Sequence, residues 1–343
     1  MKEKYFCGQI ETPAGLVPVV ATSLSLMDKL GAWLVRCAIL RNNYRVKPGL
    51  YATGSPTDNS PVMVSANYKL SFDMLRHALD GIDSWILVLD TKGVNVWCAA
   101  GKGTFGTEEI VRRIDETGLA KIARRKKLVV PQLAAPGVSA IDVKKLSGFS
   151  VEFGPVRAED LPAFLLSGGK ASAEMRTVKF EMGDRVKLIP AEIMIHSGAL
   201  FMSIAVFFLL SGLGPGGYLF SRARDSGVFA VTFLLAAFFS GTVLSTILLP
   251  WLPGRSFSLK GAFAGLLTLG LLFLSSGSRA NNFELFSWLL LVPSISSFLA
   301  MNFTGASTFT SLSGVKKEMR IAVPVQAVSA IAGMALWAIS RFV

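Results

Sequence analysis

Two stretches of this chain leave little freedom about their surroundings. Over residues 193–213 the only ionisable side chain is His196, and over residues 228–249 there is none. As helices rising about 1.5 Å per residue, both are long enough to cross the ~30 Å hydrocarbon layer of a bilayer. Three further runs, 257–274, 285–303 and 321–340, repeat the pattern and bring the expected spans to five. The third is the weakest: Lys260 leaves an uninterrupted apolar part, 261–274, no longer than a buried or re-entrant segment, and without it four spans remain.

Charge is divided along the chain in the same way. Residues 1–187 carry 26 of the 35 Lys+Arg and 19 of the 23 Asp+Glu, a net of +7, whereas residues 188–343 carry 9 and 4. This predicts a polar head at 1–180, a juxtamembrane linker at 181–192 and an all-α transmembrane domain at 193–343. The first eight residues hold no apolar h-region, so no cleaved secretory signal is expected and the head is expected to stay in the cytoplasm. With that orientation Arg255, Lys260, Lys316, Lys317 and Arg320 fall inside and Arg222, Arg224, Arg279 and Arg341 outside. Arg176, Lys179, Arg185 and Lys187 ahead of the first span strengthen the inside assignment. A multi-pass protein of the inner (plasma) membrane is therefore expected. The sequence pI of 9.8 fits attraction to anionic membrane lipid rather than nucleic acid, because no aromatic residues interleave with the basic ones to form a stacking platform. Within the spans only His196 is available as an ionisable group for a mid-membrane site, and Glu192 and Glu284 lie at span ends; Glu192 and His196, four apart, read as an interfacial pair, and anchoring rather than conduction as the default role. Gly261, Gly265 and Gly270 read as close-packing positions.

In the head, short apolar runs alternate with amphipathic stretches, the pattern of an α/β, Rossmann-like, doubly wound parallel sheet. Strands are expected at 16–21, 50–53, 62–66, 85–89, 128–130 and 150–153. Helices are expected over 68–79 and 109–114, the latter capped by Thr107, and the basic run 121–127 reads as the solvated end of another helix. In such folds ligands sit beyond the carboxyl ends of the strands. Three loops are thereby expected to face one crevice: 54–60 with Thr57, 91–106, and 131–137 with Gln132, Ala134 and Gly137. Gly101, Gly103 and Gly106 fit GxGxxG, but no strand ends at the first glycine and no acidic residue follows about twenty positions on, so dinucleotide binding is not expected; a P-loop fails because Gly103 follows Lys102. Three cysteines, Cys7, Cys37 and Cys98, form no CxxC pair, so a four-thiolate iron-sulfur or zinc centre must come from a partner. Cys7 and Cys37 read as inert buried thiols, and His77 as a helix-surface residue. Cys98 differs: its small neighbours allow a bulky planar ligand near the backbone, Lys102 places an ammonium near the sulfur, and a thiolate is both a soft metal ligand and a nucleophile.

The string Asn95, Val96, Trp97, Cys98, Ala99, Ala100, Gly101, Lys102, continued as GTFGTEE, resembles the cap-helix signature of the corrinoid protein in the two-protein mercury methylation system of anaerobic microbes. A corrinoid domain followed by about five transmembrane helices is also that family's architecture, so the resemblance covers the whole chain. PQLAAPGV at 131–138 and FGPVRAEDLPAFL from Phe153 resemble, in addition, the corrinoid domain of the corrinoid iron-sulfur protein of acetyl-CoA synthesis. That relative carries its own four-cysteine cluster and is soluble, unlike this chain. The methionine synthase type of corrinoid module is excluded because its DxHxxG motif is missing around His77.

The resemblance implies a cobalamin-type corrinoid held base-off, with the Cys98 thiolate as lower axial ligand of cobalt, and transfer of methyl from methyl-cobalt(III) to Hg(II) to form methylmercury. A strongly donating sulfur raises electron density at cobalt and favours release of methyl to an electrophile. It also implies a methyltetrahydrofolate-type donor acting through another methyltransferase. A small ferredoxin with two four-iron clusters, absent from this chain, would return the electrons. Two rival expectations are a membrane-anchored corrinoid methyl carrier of acetyl-CoA or one-carbon metabolism, and a corrinoid transporter or sensor.

Overall fold

A computed structural model describes residues 5–276, 281–303 and 312–343; Arg279, counted above among the outer loop charges, lies outside them. The chain divides into two compact units, Met1–Val35 with Ile39–Lys179, and Arg36–Ala38 with Phe180–Val343.

The first unit contains β1 (Phe6–Thr12), β2 (Gly15–Val20), α1 (Leu26–Arg36), β3 (Gly49–Thr53), β4 (Val62–Ala66), α2 (Lys69–Ala78) and β5 (Ser84–Leu89). It continues with α3 (Val96–Gly101), α4 (Thr107–Thr117), α5 (Leu119–Ile122), β6 (Lys127–Val130), α6 (Ala140–Ser147), β7 (Ser150–Phe153) and α7 (Leu161–Leu166). The seven strands form one sheet in the order β1-β2-β3-β5-β4-β6-β7. Every residue of β4 and β5 is buried, as expected for central strands covered on both faces. The period of two divides β5: Trp85, Leu87 and Leu89 join one core cluster with α4 and α6, while Ile86 and Val88 join a second with Phe72 of α2 and Phe164 of α7. Helices thus cover both faces, the doubly wound arrangement the sequence predicts.

The sheet is mixed rather than parallel. β4 pairs in parallel with β5 and β6, and β6 with β7. β3, however, runs antiparallel to β5, with Thr53 opposite Ser84, and β1 adds an antiparallel hairpin to β2 that the apolar pattern did not reveal. Three local expectations also change. Gly106, not Thr107, is the N-cap of α4, and the Thr107 hydroxyl instead accepts from the Ser139 N–H. The basic run 121–127 leaves the four-residue α5 and enters β6 instead of ending a long helix. Cys7 is exposed on β1, although Cys37 is buried as expected and His77 is exposed on α2.

α1 is tied to α2 by an alternating charge network. Lys69 Nζ reaches Asp28 at 2.7 Å and Asp73 at 2.6 Å, and Arg76, fully buried, reaches the same two carboxylates at 2.9 and 2.8 Å. Burial pushes the Asp28 carboxyl up, but the hydrogen bonds from Lys69 and Ser25 outweigh it and hold the group well below the usual carboxylate range.

The second unit holds α8 (Met182–Val186), α9 (Ile189–Leu210), α10 (Phe220–Phe239), α11 (Ser245–Ile247), α12 (Phe257–Ser276), α13 (Asn282–Asn302) and α14 (Leu312–Ile339). Among the described residues five helices are long and apolar enough to cross a membrane, the third included. A π-helical stretch at Ser240–Leu244 joins α10 to α11. Small residues bring these helices together. A Cβ added at Gly261 would stand 2.5 Å from Ser296 O, and one at Gly265 2.7 Å from Ser296 Oγ, while Gly270 meets nothing within 4 Å and is no packing point. Polar side chains add further links: Ser240 Oγ of the π-helical stretch donates to Thr268 Oγ1 of α12 at 2.7 Å, and Gln326 Nε2 of α14 donates to Ser297 Oγ of α13 at 2.7 Å. Glu192 and His196 stand 3.8 Å apart, the expected pairing. Arg185, Lys187, Arg255, Lys260, Lys316, Lys317 and Arg320 fall at the end where α9, α12 and α14 begin; Arg222, Arg224 and Arg341 fall at the other.

Candidate functional site

The site begins where β5 ends. Leu89 leads into Asp90, Thr91, Lys92 and Gly93, and the last two adopt left-handed backbone at φ +59° and +76°. Asn67, the residue after β4 and 3% exposed, holds this turn. Its Oδ1 accepts from Thr91 N (3.1 Å), Thr91 Oγ1 (2.9 Å) and Gly93 N (2.9 Å), and its Nδ2 donates to Asp90 Oδ1 (3.1 Å). Glu109 of α4 accepts from Asp90 N at 2.8 Å and from the Arg113 guanidinium at 2.7 Å. Burial raises the Asp90 carboxyl, yet hydrogen bonds from Lys92 and the charges of Lys92 and Arg113 bring it below its ordinary value. The turn is a rigid platform rather than a loose loop.

α3 stands on that platform. Asn95 is its N-cap, the side-chain oxygen accepting from Cys98 N at 2.9 Å, which satisfies one of the helix's orphan donors. Val96, Ala99 and Ala100 are buried in the core, while Trp97 and Cys98 are half-buried and Gly101 and Lys102 exposed. At 100° per residue, positions 96, 99 and 100 share one side and 97, 98 and 101 the other. The helix is therefore pinned by its alanine face and presents the Cys98 thiol on the face left over. A Cβ added at Gly101 meets nothing within 4 Å, so the surface beside that thiol is open. The Phe105 N–H donates to Ala99 O at 3.1 Å and its ring is fully buried, turning the chain back into the core.

The loop after β6 closes against the same helix. Gln132–Ala134 forms a 3-10 turn packed on α3, with Ala134 fully buried. Gly137 lies so near the end of α3 that a Cβ there would come within 2.4 Å of Phe105 O and 3.0 Å of Ala100 O. Gln132 is half-buried, and its Oε1 accepts from Arg176 at 3.4 Å. The structure thus brings Asn95, Val96, Trp97, Cys98, Ala99, Ala100, Gly101 and Lys102 together with Gln132, Ala134 and Gly137.

Thr57 does not join them. Because β3 runs against β5, its exit loop emerges at the amino ends of β4 and β5. There the Thr57 carbonyl accepts from Trp85 Nε1 at 2.9 Å, and Thr57 lines a separate cavity of about 490 Å³ with Thr12, Lys121 and Arg124. Gly101 closes α3 and Gly106 opens α4, so the GxGxxG string links two helices and is not the strand-to-helix turn that cradles a pyrophosphate. Sequence reasoning missed Asn67 and Glu109; the signal available was a lone amide directly after a fully buried strand of mostly apolar residues.

With this geometry in place, the likenesses to known proteins fall on the same segment. Residues 39–165 match the sequence profile of the family described as CO dehydrogenase/acetyl-CoA synthase delta subunit. The chain is 35% identical over 131 residues to the acetyl-CoA decarbonylase/synthase complex subunit gamma of Methanopyrus kandleri, covering 38% of this chain and 28% of that one. It is 31% identical over 127 residues to the subunit of the same name from Methanocaldococcus jannaschii, covering 36% and 26%. The corrinoid/iron-sulfur protein large subunit of Moorella thermoacetica is 30% identical over 122 residues, covering 35% and 27%. The chain spans little more than a quarter of the length of these relatives, and the membrane unit lies outside the matched segment.

Proposed function

We propose that this chain is a membrane-held, corrinoid-dependent methyltransferase whose acceptor is Hg(II), with Cys98 as the lower axial ligand of cobalt. The observation that carries the reading is the Cys98 thiol, presented outward from a helix whose opposite face is locked into the core. Its donor type fits: a sulfur on a capped turn, beside the open surface at Gly101, is a ligand for a soft metal centre and leaves room for a broad planar group. When bound, a corrinoid supplies a cobalt centre that takes up and releases methyl. Asn95 fixes the backbone at Cys98, Ala99 and Ala100 seat the helix, and Trp97, Gly101 and Lys102 flank the thiol. Gln132, Ala134 and Gly137 close the adjoining wall. Support for corrinoid as the cofactor comes from the relative named corrinoid/iron-sulfur protein large subunit; support for mercury comes from the NVWCAAGK signature.

The methyl group would reach the head from a methyltetrahydrofolate-type donor through another methyltransferase, and electrons from a small ferredoxin. Seven described basic residues at one end of the bundle against three at the other favour a cytoplasmic placement of the richer end, and with it of the head.

A second reading, a methyl carrier of acetyl-CoA or one-carbon metabolism, is favoured by the names of the relatives. The two separate at one residue. The full-length protein, purified anaerobically, loaded with corrinoid and supplied with reductant, methyl donor and Hg(II), is expected to form methylmercury. Cys98→Thr is expected to abolish it. Methyl transfer surviving in Cys98→Thr would favour the carrier.

A further inference from the structure

We propose that the end of the membrane unit where α9, α12 and α14 begin holds an anionic phospholipid headgroup, its phosphate seated on Arg185. Arg185 lies in α8 and is 3% exposed, yet its Nε and Nη1 are buried without a hydrogen-bond partner. Its guanidinium carbon sits 5.9 Å from the centre of the Trp251 ring, which contributes no negative charge. A buried guanidinium lacking an anion is an uncompensated charge, and its planar fork matches phosphate oxygens two at a time.

The surroundings add cations. Arg255 is exposed on the connection between α11 and α12, and Lys260, one turn into α12, donates to the Leu249 carbonyl. Of the nearby carboxylates, Asp184 pairs with Lys187 at 3.7 Å, Glu318 accepts from the Ser258 N–H at 2.6 Å, and Glu181, exposed one turn before Arg185, makes no hydrogen bond to its buried Nε or Nη1. A lipid rather than free phosphate is the source because the same spot offers apolar surface: Trp251 is 66% exposed and Leu259 45%, at the end of a span where an indole meets headgroups and acyl chains.

The full-length protein, stripped of lipid in neutral detergent, is titrated with phosphatidylglycerol or phosphatidylcholine of the same chains and read by native mass spectrometry and by thermal shift. The native protein is expected to prefer the anionic lipid about tenfold, and Arg185→Gln to lose that preference. Millimolar inorganic phosphate is expected not to displace the lipid. Should Arg185→Gln fail to fold, the pair Trp251→Ala and Arg255→Gln, both at exposed positions, is expected to weaken the preference. Equal retention of both lipids, an undiminished preference in these variants, or displacement by phosphate alone would overturn the proposal.

Discussion

The loops that leave β3 and β5 look alike in sequence. Each follows a buried strand, and each combines glycine with short polar residues. In the structure they lie at opposite ends of the sheet. The loop after β3 is fixed near the strand starts, where the Asp83 carboxylate accepts from Ser55 N at 2.9 Å and Trp85 donates to Thr57 O. The loop after β5 is fixed at the strand ends by Asn67 and Glu109 and carries Cys98. Composition marks both as candidate binding loops, but only strand direction decides which one reaches the strand ends. Direction is a property of the pairing partner and not of the strand itself.

Four substitutions sharpen this contrast. The largest effect is expected for Gly137→Val, because its first side-chain carbon would fall on the Phe105 carbonyl; overpacking of this kind costs about 1–3 kcal/mol or more, and the variant should retain no corrinoid after gel filtration. Asn67→Ala strips the acceptor from two buried N–H groups and a hydroxyl. A loss of roughly 2–3 kcal/mol is expected, read as a lower melting temperature by tryptophan fluorescence in detergent. Asn95→Ala removes one cap, costing about 1 kcal/mol, and should weaken corrinoid retention more than it lowers the melting temperature. Thr57→Val, at the far loop, should change neither; corrinoid loss there would return that loop to the site.

Much of the head was legible because burial on two faces writes nearly continuous apolar runs into β3, β4, β5 and β6; with the less buried β2 and β7, six of the seven strands appear in the sequence within a residue or two of their ends. β1 was not legible, since Phe6–Thr12 mixes glycine, glutamine and glutamate and is mostly exposed. The reversal of β3 was hidden for the opposite reason: Leu50, Tyr51, Ala52 and Thr53 are all buried and look the same in either direction. Within the site, NVWCAAGK was legible as a motif and Gln132, Ala134 and Gly137 as residues of a loop facing the crevice, whereas the close approach at Gly137 was not. Asn67 was not, because a single asparagine acquires its role only when β4 lands beside β5 and aims it at the Asp90 turn.

The central claim is that Cys98 ligates cobalt from the turn capped by Asn95. Its most direct test is to load the full-length protein with corrinoid under anaerobic conditions and compare cobalt absorption and EPR spectra of the native protein and Cys98→Ala. A spectrum that depends on the thiol, with corrinoid still retained by the variant, is the predicted result. Identical spectra from equally loaded proteins would contradict it.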